Sequence, residues 1–164
     1  MLPRTAEYAL RAMAVLAQSP GVALRNTDLA ERCQVPERYL SAVMRAQVQA
    51  GLVRSQRGRN GGYVLARSPA EIAVGDVILA AGHDLSGRPC AFGWDRCDAE
   101  RPCPLHPLYS ELNEAVGQWA VDRTLADVGR LSPPSGREPR ESADDAARPP
   151  PRRPAGTPTA ASSS

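Results

Sequence analysis

The chain contains no lysine, so all twenty of its basic side chains are arginines. Aromatic residues make up only 4% of it, and it has two histidines. No apolar run approaches the roughly 18 residues of a membrane span, which argues against a membrane protein. The sequence also lacks a glycine-rich phosphate-binding motif and any Ser–His–Asp pattern. These absences predict a protein that is neither an enzyme nor a membrane protein.

The amino terminus lacks the uncharged core of a signal peptide, because Glu7 and Arg11 interrupt its apolar run. Apolar residues recur there with helical spacing, which predicts an amphipathic helix over residues 5–18. The face that we expect to be buried contains Ala6, Leu10, Met13, Ala14 and Ala17. We therefore expect a cytoplasmic protein. Four cysteines in such a chain favour metal or redox roles over structural disulfides.

Charge is distributed unevenly along the 164 residues. Residues 1–68 carry a net charge of +6, whereas residues 69–130 carry −5. A basic front followed by an acidic middle predicts a nucleic-acid surface joined to a different module. Residues 131–164 hold eight of the sixteen prolines, and their only large apolar residue is Leu131. This composition predicts a disordered tail.

The order of predicted elements indicates a fold that is mainly α with a small β-wing. Asn26 or Thr27 is expected to cap a short second helix that ends near Arg32, and a third helix runs over residues 36–49, closed by Gly51. Two β-prone runs, 52–56 and 62–66, are joined by a connector rich in glycine and asparagine, which predicts a hairpin. Helix, helix, turn, helix and hairpin is the order of a winged helix-turn-helix, whose third helix enters the major groove of DNA.

Basic and polar side chains lie off the apolar stripe of the third helix and on the hairpin tip. Arginines on one helix face can reach base edges or one wall of a groove, and a narrow wing can meet phosphates or a minor groove. A single exposed arginine could equally be part of an ordinary solvated face. Here the net charge, the order of the helices and the basic wing all favour DNA binding. The candidate DNA-contacting residues are Arg38, Tyr39, Ser41, Ala42, Arg45, Arg57 and Arg59.

A fourth short helix over residues 74–81 precedes a loop, 82–107, rich in glycine and proline. The loop contains Cys90-x6-Cys97-x5-Cys103-x2-His106. These gaps are wider than those of usual zinc sites and suit an iron–sulfur cluster, which takes cysteine ligands and admits a substitute. Zinc and unliganded thiols are the alternatives, and His106 could instead cap the next helix. The fourth cysteine, Cys33, is interpreted as a small core residue.

The segment after Pro107 carries an apolar stripe with helical spacing, formed by Leu108, Leu112, Ala115, Val116 and Trp119. A lone helix with this stripe needs a partner. A symmetric dimer would supply one and would place two wings on a palindromic operator. Packing within one subunit is the alternative.

Several short segments together resemble the winged-helix regulators of the IscR/NsrR type, the Rrf2 superfamily. The resemblance covers residues 4–129, and each segment alone is weakly specific. The segments are Glu7-Tyr-Ala-Leu10, Val35-Pro-Glu-Arg-Tyr-Leu40, Gly51-Leu-Val53, Arg57-Gly-Arg-Asn-Gly-Gly-Tyr-Val64, Val74-Gly-Asp-Val77 and the cysteine loop ending in Cys103-Pro-Leu-His106.

The resemblance implies a homodimer that crosses through its long helix and holds a cluster mainly by Cys90, Cys97 and Cys103. The cluster would be 2Fe–2S or, alternatively, 4Fe–4S. In the cluster-biogenesis branch a histidine placed like His106 is the fourth ligand. In the nitric-oxide branch an acidic residue of the partner's first helix, placed like Glu7, has that role. Glu7 could also form an ordinary salt bridge with Arg11, at i+4.

The sequence therefore predicts a transcription regulator, such as a repressor, that senses redox, nitric oxide or iron–sulfur status. Two alternatives remain: a DNA-binding regulator that uses zinc or thiol oxidation, and a small iron–sulfur electron-transfer protein. The expected organisation is a DNA-binding domain (1–81), a cluster-binding loop (82–107), a dimerisation helix (108–130) and the tail (131–164).

Overall fold

A computed structural model describes residues 2–58, 61–85 and 100–129 of the chain. It is mainly helical with one small antiparallel sheet, as the sequence predicts. The elements in chain order are α1 (Arg4–Gln18), α2 (Asn26–Cys33), α3 (Glu37–Gln49), β1 (Val53–Gln56), β2 (Gly62–Leu65), a 3-10 turn (Pro69–Glu71), α4 (Val74–Ala80), α5 (His106–Asp122) and α6 (Leu125–Gly129). The predicted tail, 131–164, lies outside the described residues.

The first helix lies at the centre of the core and packs against α2, α3, α4 and α6. Its fully buried residues include Ala9, Ala12 and Met13, whereas Leu10 and Ala17 are only partly buried. Ala6 and Met13 of the predicted inner face are therefore confirmed as buried, but the buried arc of α1 is wider than predicted. The reason is tertiary, because several elements surround α1 and cover a wider arc than one amphipathic stripe requires.

The helix-turn-helix unit is formed by α2 and α3. Gln34 adopts a left-handed conformation (φ 54°) in the turn between them. The sequence predicts Asn26 or Thr27 as the cap of α2. In the structure Arg25 occupies the cap position, and Asn26 is the first residue of the helix. Gly51, with φ 73°, ends α3 as predicted. Its N–H donates to Val48 O and the next N–H to Gln47 O, both at 3.0 Å, which is the Schellman pattern.

The wing is a hairpin in which Val53 pairs with Leu65 and Gln56 with Gly62. It also has a third, one-residue strand that the sequence did not predict. Leu24 and Tyr63 exchange both backbone hydrogen bonds, at 3.0 and 2.8 Å. Because a Cβ on Gly62 would lie 2.2 Å from the Leu24 carbonyl oxygen, only glycine allows this close approach. The bridge fastens the wing to the entrance of the helix-turn-helix unit.

The carboxy-terminal region is two helices rather than the single helix predicted over 108–130. The break follows α5, because Thr124 precedes a new helix, α6. The N–H and the hydroxyl of Thr124 both donate to the Asp127 carboxylate at 3.0 Å, which stabilises the start of that helix. The extended residues at the break pair with the start of α4, where the Val74 N–H donates to Arg123 O at 2.8 Å. None of the described helices is long and apolar enough to cross a lipid bilayer.

Candidate nucleic-acid interface

The outer face of α3 carries the predicted DNA-contacting side chains. Leu40, Val43 and Met44 are buried on its inner face, which fixes the rotation of the helix. Ala42 and Arg45 are consequently exposed on the outer face. The packing of α3 against the core therefore presents a basic surface to solvent, as a recognition helix requires.

Arg38 and Tyr39, at the amino-terminal end of α3, are ordered by ring contacts. The Arg38 guanidinium lies over the Tyr39 ring, 4.7 Å from its centroid, although Arg38 is exposed. The Tyr39 ring lies 6.1 Å from that of Tyr8 on α1. Arg11, on the same helix, is in turn 6.0 Å from the Tyr8 centroid. This series of contacts restrains the Arg38 side chain at the exposed face of α3.

Ser41 is partly buried and already has hydrogen-bond partners. Its hydroxyl donates to the Glu37 backbone oxygen at 3.1 Å and lies 3.4 Å from Asn26 Oδ1. The second contact joins α3 to α2. Ser41 therefore helps to hold the helix-turn-helix angle in addition to its predicted position at the DNA face.

The wing contributes a basic side chain next to this face. Arg57 follows β1 directly and is exposed. Arg59 lies outside the described residues, as do the two loop cysteines Cys90 and Cys97. Arg57 and the recognition helix both belong to residues 1–68, the basic part of the chain, with its net charge of +6.

Cys103 and His106 lie one turn apart at the start of α5. The His106 N–H donates to Cys103 O at 2.9 Å, and both side chains are partly exposed. His106 is the first residue of α5 and does not act as its cap, a position that belongs to Leu105. Within residues 2–58, 61–85 and 100–129 no three histidine, cysteine or acidic side chains gather as a metal site. Glu7, partly buried on α1, therefore does not complete such a group with Cys103 and His106.

Cys33 is a core residue, as predicted. It is 5% exposed, and its thiol lies 3.7 Å from the Ala30 carbonyl oxygen. Burial raises the pKa of the Cys33 thiol, which keeps it protonated and unreactive at neutral pH.

Two polar residues that the sequence analysis missed connect α4 to the rest of the fold. Gln47 of α3 is fully buried, and its Nε2 donates to Val77 O at 3.2 Å. His83, after α4, has its Nε2 2.7 Å from the Thr5 hydroxyl of α1. Burial lowers the pKa of His83. Gln47 lies three residues after Met44, so helical spacing is compatible with the inner face, but its polarity gives no signal that it is buried.

The predicted stripe on α5 is exposed in the single chain. Leu108 is 70% exposed, Leu112 58%, Val116 37% and Trp119 45%. Ala120, on another side of the helix, is buried. The part of the chain that the structure describes therefore leaves the stripe uncovered within one subunit.

Comparisons with known proteins agree with this architecture. The family model Rrf2, described as an iron-dependent transcriptional regulator, matches residues 2–130. The transcriptional regulator IscR of Serratia proteamaculans is 34% identical over 101 residues, which are 62% of this chain and 61% of that protein.

Two solved structures share the fold. CymR, the global cysteine regulator of B. subtilis, superposes with a TM-score of 0.70 at 25% identity, over 81% of this chain and 98% of that one. IscR of T. potens gives a TM-score of 0.63 at 27% identity, over 79% and 86% of the two chains. These relatives and solved structures are transcription regulators. The chain belongs to the Rrf2 family of winged-helix transcriptional regulators.

Proposed function

We propose that this regulator is a cytoplasmic homodimer that binds a palindromic operator and changes its DNA affinity with the state of an iron–sulfur cluster. One observation carries the DNA-binding part: Arg38 and Arg45 are exposed on the face of α3 opposite its buried stripe, with Arg57 on the adjacent wing. In this arrangement α3 enters the major groove, where Arg45 reaches base edges. The wing contacts the phosphate backbone.

The exposed stripe of α5 supports the homodimer. Its four large apolar side chains, Leu108 to Trp119, are each more than a third exposed, which is a contiguous apolar surface on a helix. A second copy offers an identical surface, and a two-fold interface buries the stripe on both chains at once. A two-fold dimer also presents two α3 helices to two half-sites of a palindrome.

The donor set at the start of α5 fits a cluster. Cys103 and His106 are close together and partly exposed, and Cys90 and Cys97 belong to the same interhelical segment. The seventeen-residue helix α5 begins at this point, and its amino-terminal dipole favours the negative charge of thiolates. We propose that Cys90, Cys97 and Cys103 hold the cluster, 2Fe–2S rather than 4Fe–4S. When bound, such a cluster supplies iron that responds to oxidants, nitric oxide or iron supply.

The fourth ligand is His106 or Glu7. His106 is on the same chain and adjacent to Cys103, which favours it. Glu7 does not gather with these two residues within one chain, so its ligation requires the α1 helix of the partner. Substitution of each residue separates the two assignments.

A second candidate function retains the DNA binding and replaces the cluster with thiol oxidation or zinc. The likeness to CymR, the global cysteine regulator of B. subtilis, favours this candidate. The same three cysteines would then be the sensing groups. An electron-transfer role has no support from the family.

The test is to purify the protein without oxygen and to count iron and acid-labile sulfide per chain. DNA affinity of loaded and cluster-free protein is then measured at one salt concentration, on a duplex selected from a random pool. We expect stoichiometric iron and sulfide and affinities that differ at least about five-fold. Cys103→Ser should lose iron, whereas the matched control Cys33→Ala should retain it. Equal affinities contradict the switch, and protein without iron supports the thiol or zinc candidate.

A further inference from the structure

Gln47 is an exception in the core. Among the described residues it is the one amide or charged side chain that is buried, and none of its surface is exposed. Its Nε2 donates to Val77 O, but its Oε1 is buried and has no hydrogen-bond partner within the described part of the chain. A buried acceptor without a partner destabilises the folded state. Methionine or leucine would fill the same space without this penalty, so the stability of the core does not explain a glutamine here.

The hydrogen bond of Gln47 reaches the last turn of α4. The Val77 carbonyl also accepts the Ala81 N–H at 3.1 Å, so it has two donors. Directly afterwards Gly82, with φ 88°, ends α4: its N–H donates to Leu79 O at 2.9 Å and the His83 N–H to Ile78 O at 3.2 Å. This Schellman motif sets the direction in which the chain leaves α4. The chain that leaves α4 here is the segment that contains the cysteines.

The two ends of α4 are joined to the chain on either side of the cysteine segment and α5. At its carboxyl end the chain continues into residues 82–107. At its amino end the Val74 N–H donates to Arg123 O at 2.8 Å, just after α5, and the Leu125 N–H donates to Ile72 O at 2.9 Å. A displacement of the cysteine segment therefore acts directly on the carboxyl end of α4 and, through α5, on its amino end. Gln47 is a polar contact from α4 to the recognition helix α3.

We infer that Gln47 is a positioning residue that couples the last turn of α4 to α3, so that a displacement of the cysteine segment changes the orientation of the recognition helix on DNA. The regulatory consequence rests on the proposed function. The mechanical coupling does not, because it concerns contacts within one chain. The last turn of α3 is itself fixed by the Leu52 N–H, which donates to the Gln47 backbone oxygen at 3.0 Å. A movement of the Gln47 side chain is therefore passed to a well-ordered helix end.

The experiment is a double-mutant cycle on cluster-free, full-length protein. Gly82→Ala strains the end of α4 through its positive φ, while its Cβ would meet no atom within 4 Å. Gln47→Met removes both amide groups and keeps the volume. The readout is the affinity for the selected duplex at fixed salt, and Met44→Leu is the control because it alters the same inner face of α3 without touching the hydrogen bond.

We expect Gly82→Ala to weaken DNA binding at least about five-fold in the wild-type and Met44→Leu backgrounds, and less than about two-fold in the Gln47→Met background. The same factor in every background, or no effect of Gly82→Ala at all, overturns the coupling. Because the cycle contains no cluster, a wild-type protein with equal affinity in its loaded and cluster-free forms refutes the switch and leaves the coupling to be decided by the cycle.

Hydrogen exchange tests the coupling if Gln47→Met does not fold. Cluster-free wild type and cluster-free Gly82→Ala are compared at the amides of Ala81 and Leu52, which report the last turns of α4 and α3. Changes at both amides support the coupling. A change at Ala81 with none at Leu52, or none at either, overturns it.

Discussion

At the scale of single residues, His83 makes the stability of the fold depend on pH. Its ring is partly buried against Thr5, and burial lowers its pKa. The unfolded chain takes up a proton near pH 6.5, whereas the folded chain does so only at lower pH. The unfolded state therefore binds more protons once the pH falls below that value. The contribution of His83 is present above pH 6.5 and is lost as the pH falls.

The corresponding prediction compares wild type with His83→Gln, which keeps an acceptor for the Thr5 hydroxyl and removes the titration. Between pH 7 and pH 5 the melting temperature of cluster-free wild type should fall further than that of the variant. The difference should be at most about 4 °C, because His83 is not deeply buried. Carboxylates are common to both proteins, so the difference isolates His83. Parallel melting profiles would contradict the assignment.

Predictions for single residues succeeded where one local rule determines the conformation or burial of the residue. Gly51 at the end of α3 and Cys33 in the core follow from chain geometry and side-chain size. Gln47 and the pairing of Leu24 with Tyr63 did not follow from local rules. Both depend on segments more than 20 residues away that supply a carbonyl or a backbone partner. A sequence read in short windows contains no signal for such partners.

At the scale of elements, the sequence predicted the apolar stripe of α5 correctly, but it did not predict where the helix ends. The apolar stripe follows from helical spacing and is exposed as a dimer helix requires. The break at Arg123–Thr124 was missed, because a threonine that caps a new helix through Asp127 looks like an ordinary helical residue in sequence. The proposed cluster ligands Cys90, Cys97 and Cys103, and the fourth ligand, stay predictions.

We predict that Leu112→Asp converts a dimer into a monomer. Two copies of Leu112 enter a two-fold interface, and each buried leucine contributes about 1.5–3 kcal/mol. The dissociation constant of the dimer should therefore rise at least about 100-fold. Sedimentation equilibrium measures it directly. Val121→Asp is the control, because Val121 is 69% exposed but lies on the other side of the helix from the stripe. Equal effects of the two variants would mean that the stripe is not the interface.

At the scale of the whole molecule, the uneven distribution of charge along the chain bears on how DNA binding depends on salt. The positive charge lies in residues 1–68, which contain α3 and the wing, and the negative charge lies in the segment with α5. A dimer formed through α5 thus presents two basic surfaces to the same DNA. Each protomer's contacts with phosphates add to the salt dependence of binding.

This arrangement predicts the effect of removing one wing arginine. On B-DNA the slope of log affinity against log salt changes by about 0.9 for each phosphate contact. Arg57→Ala deletes one contact per protomer, so a dimer on a palindrome should lose about 1.8 from its slope, and a monomer only about half of that. Because we propose that Arg45 reaches base edges, Arg45→Ala should instead weaken the preference for one base pair in each half-site. Arg123→Ala is the control for charge alone, because Arg123 is exposed just after α5. If Arg123→Ala and Arg57→Ala change the slope equally, the effect comes from net charge and the wing does not contact the backbone.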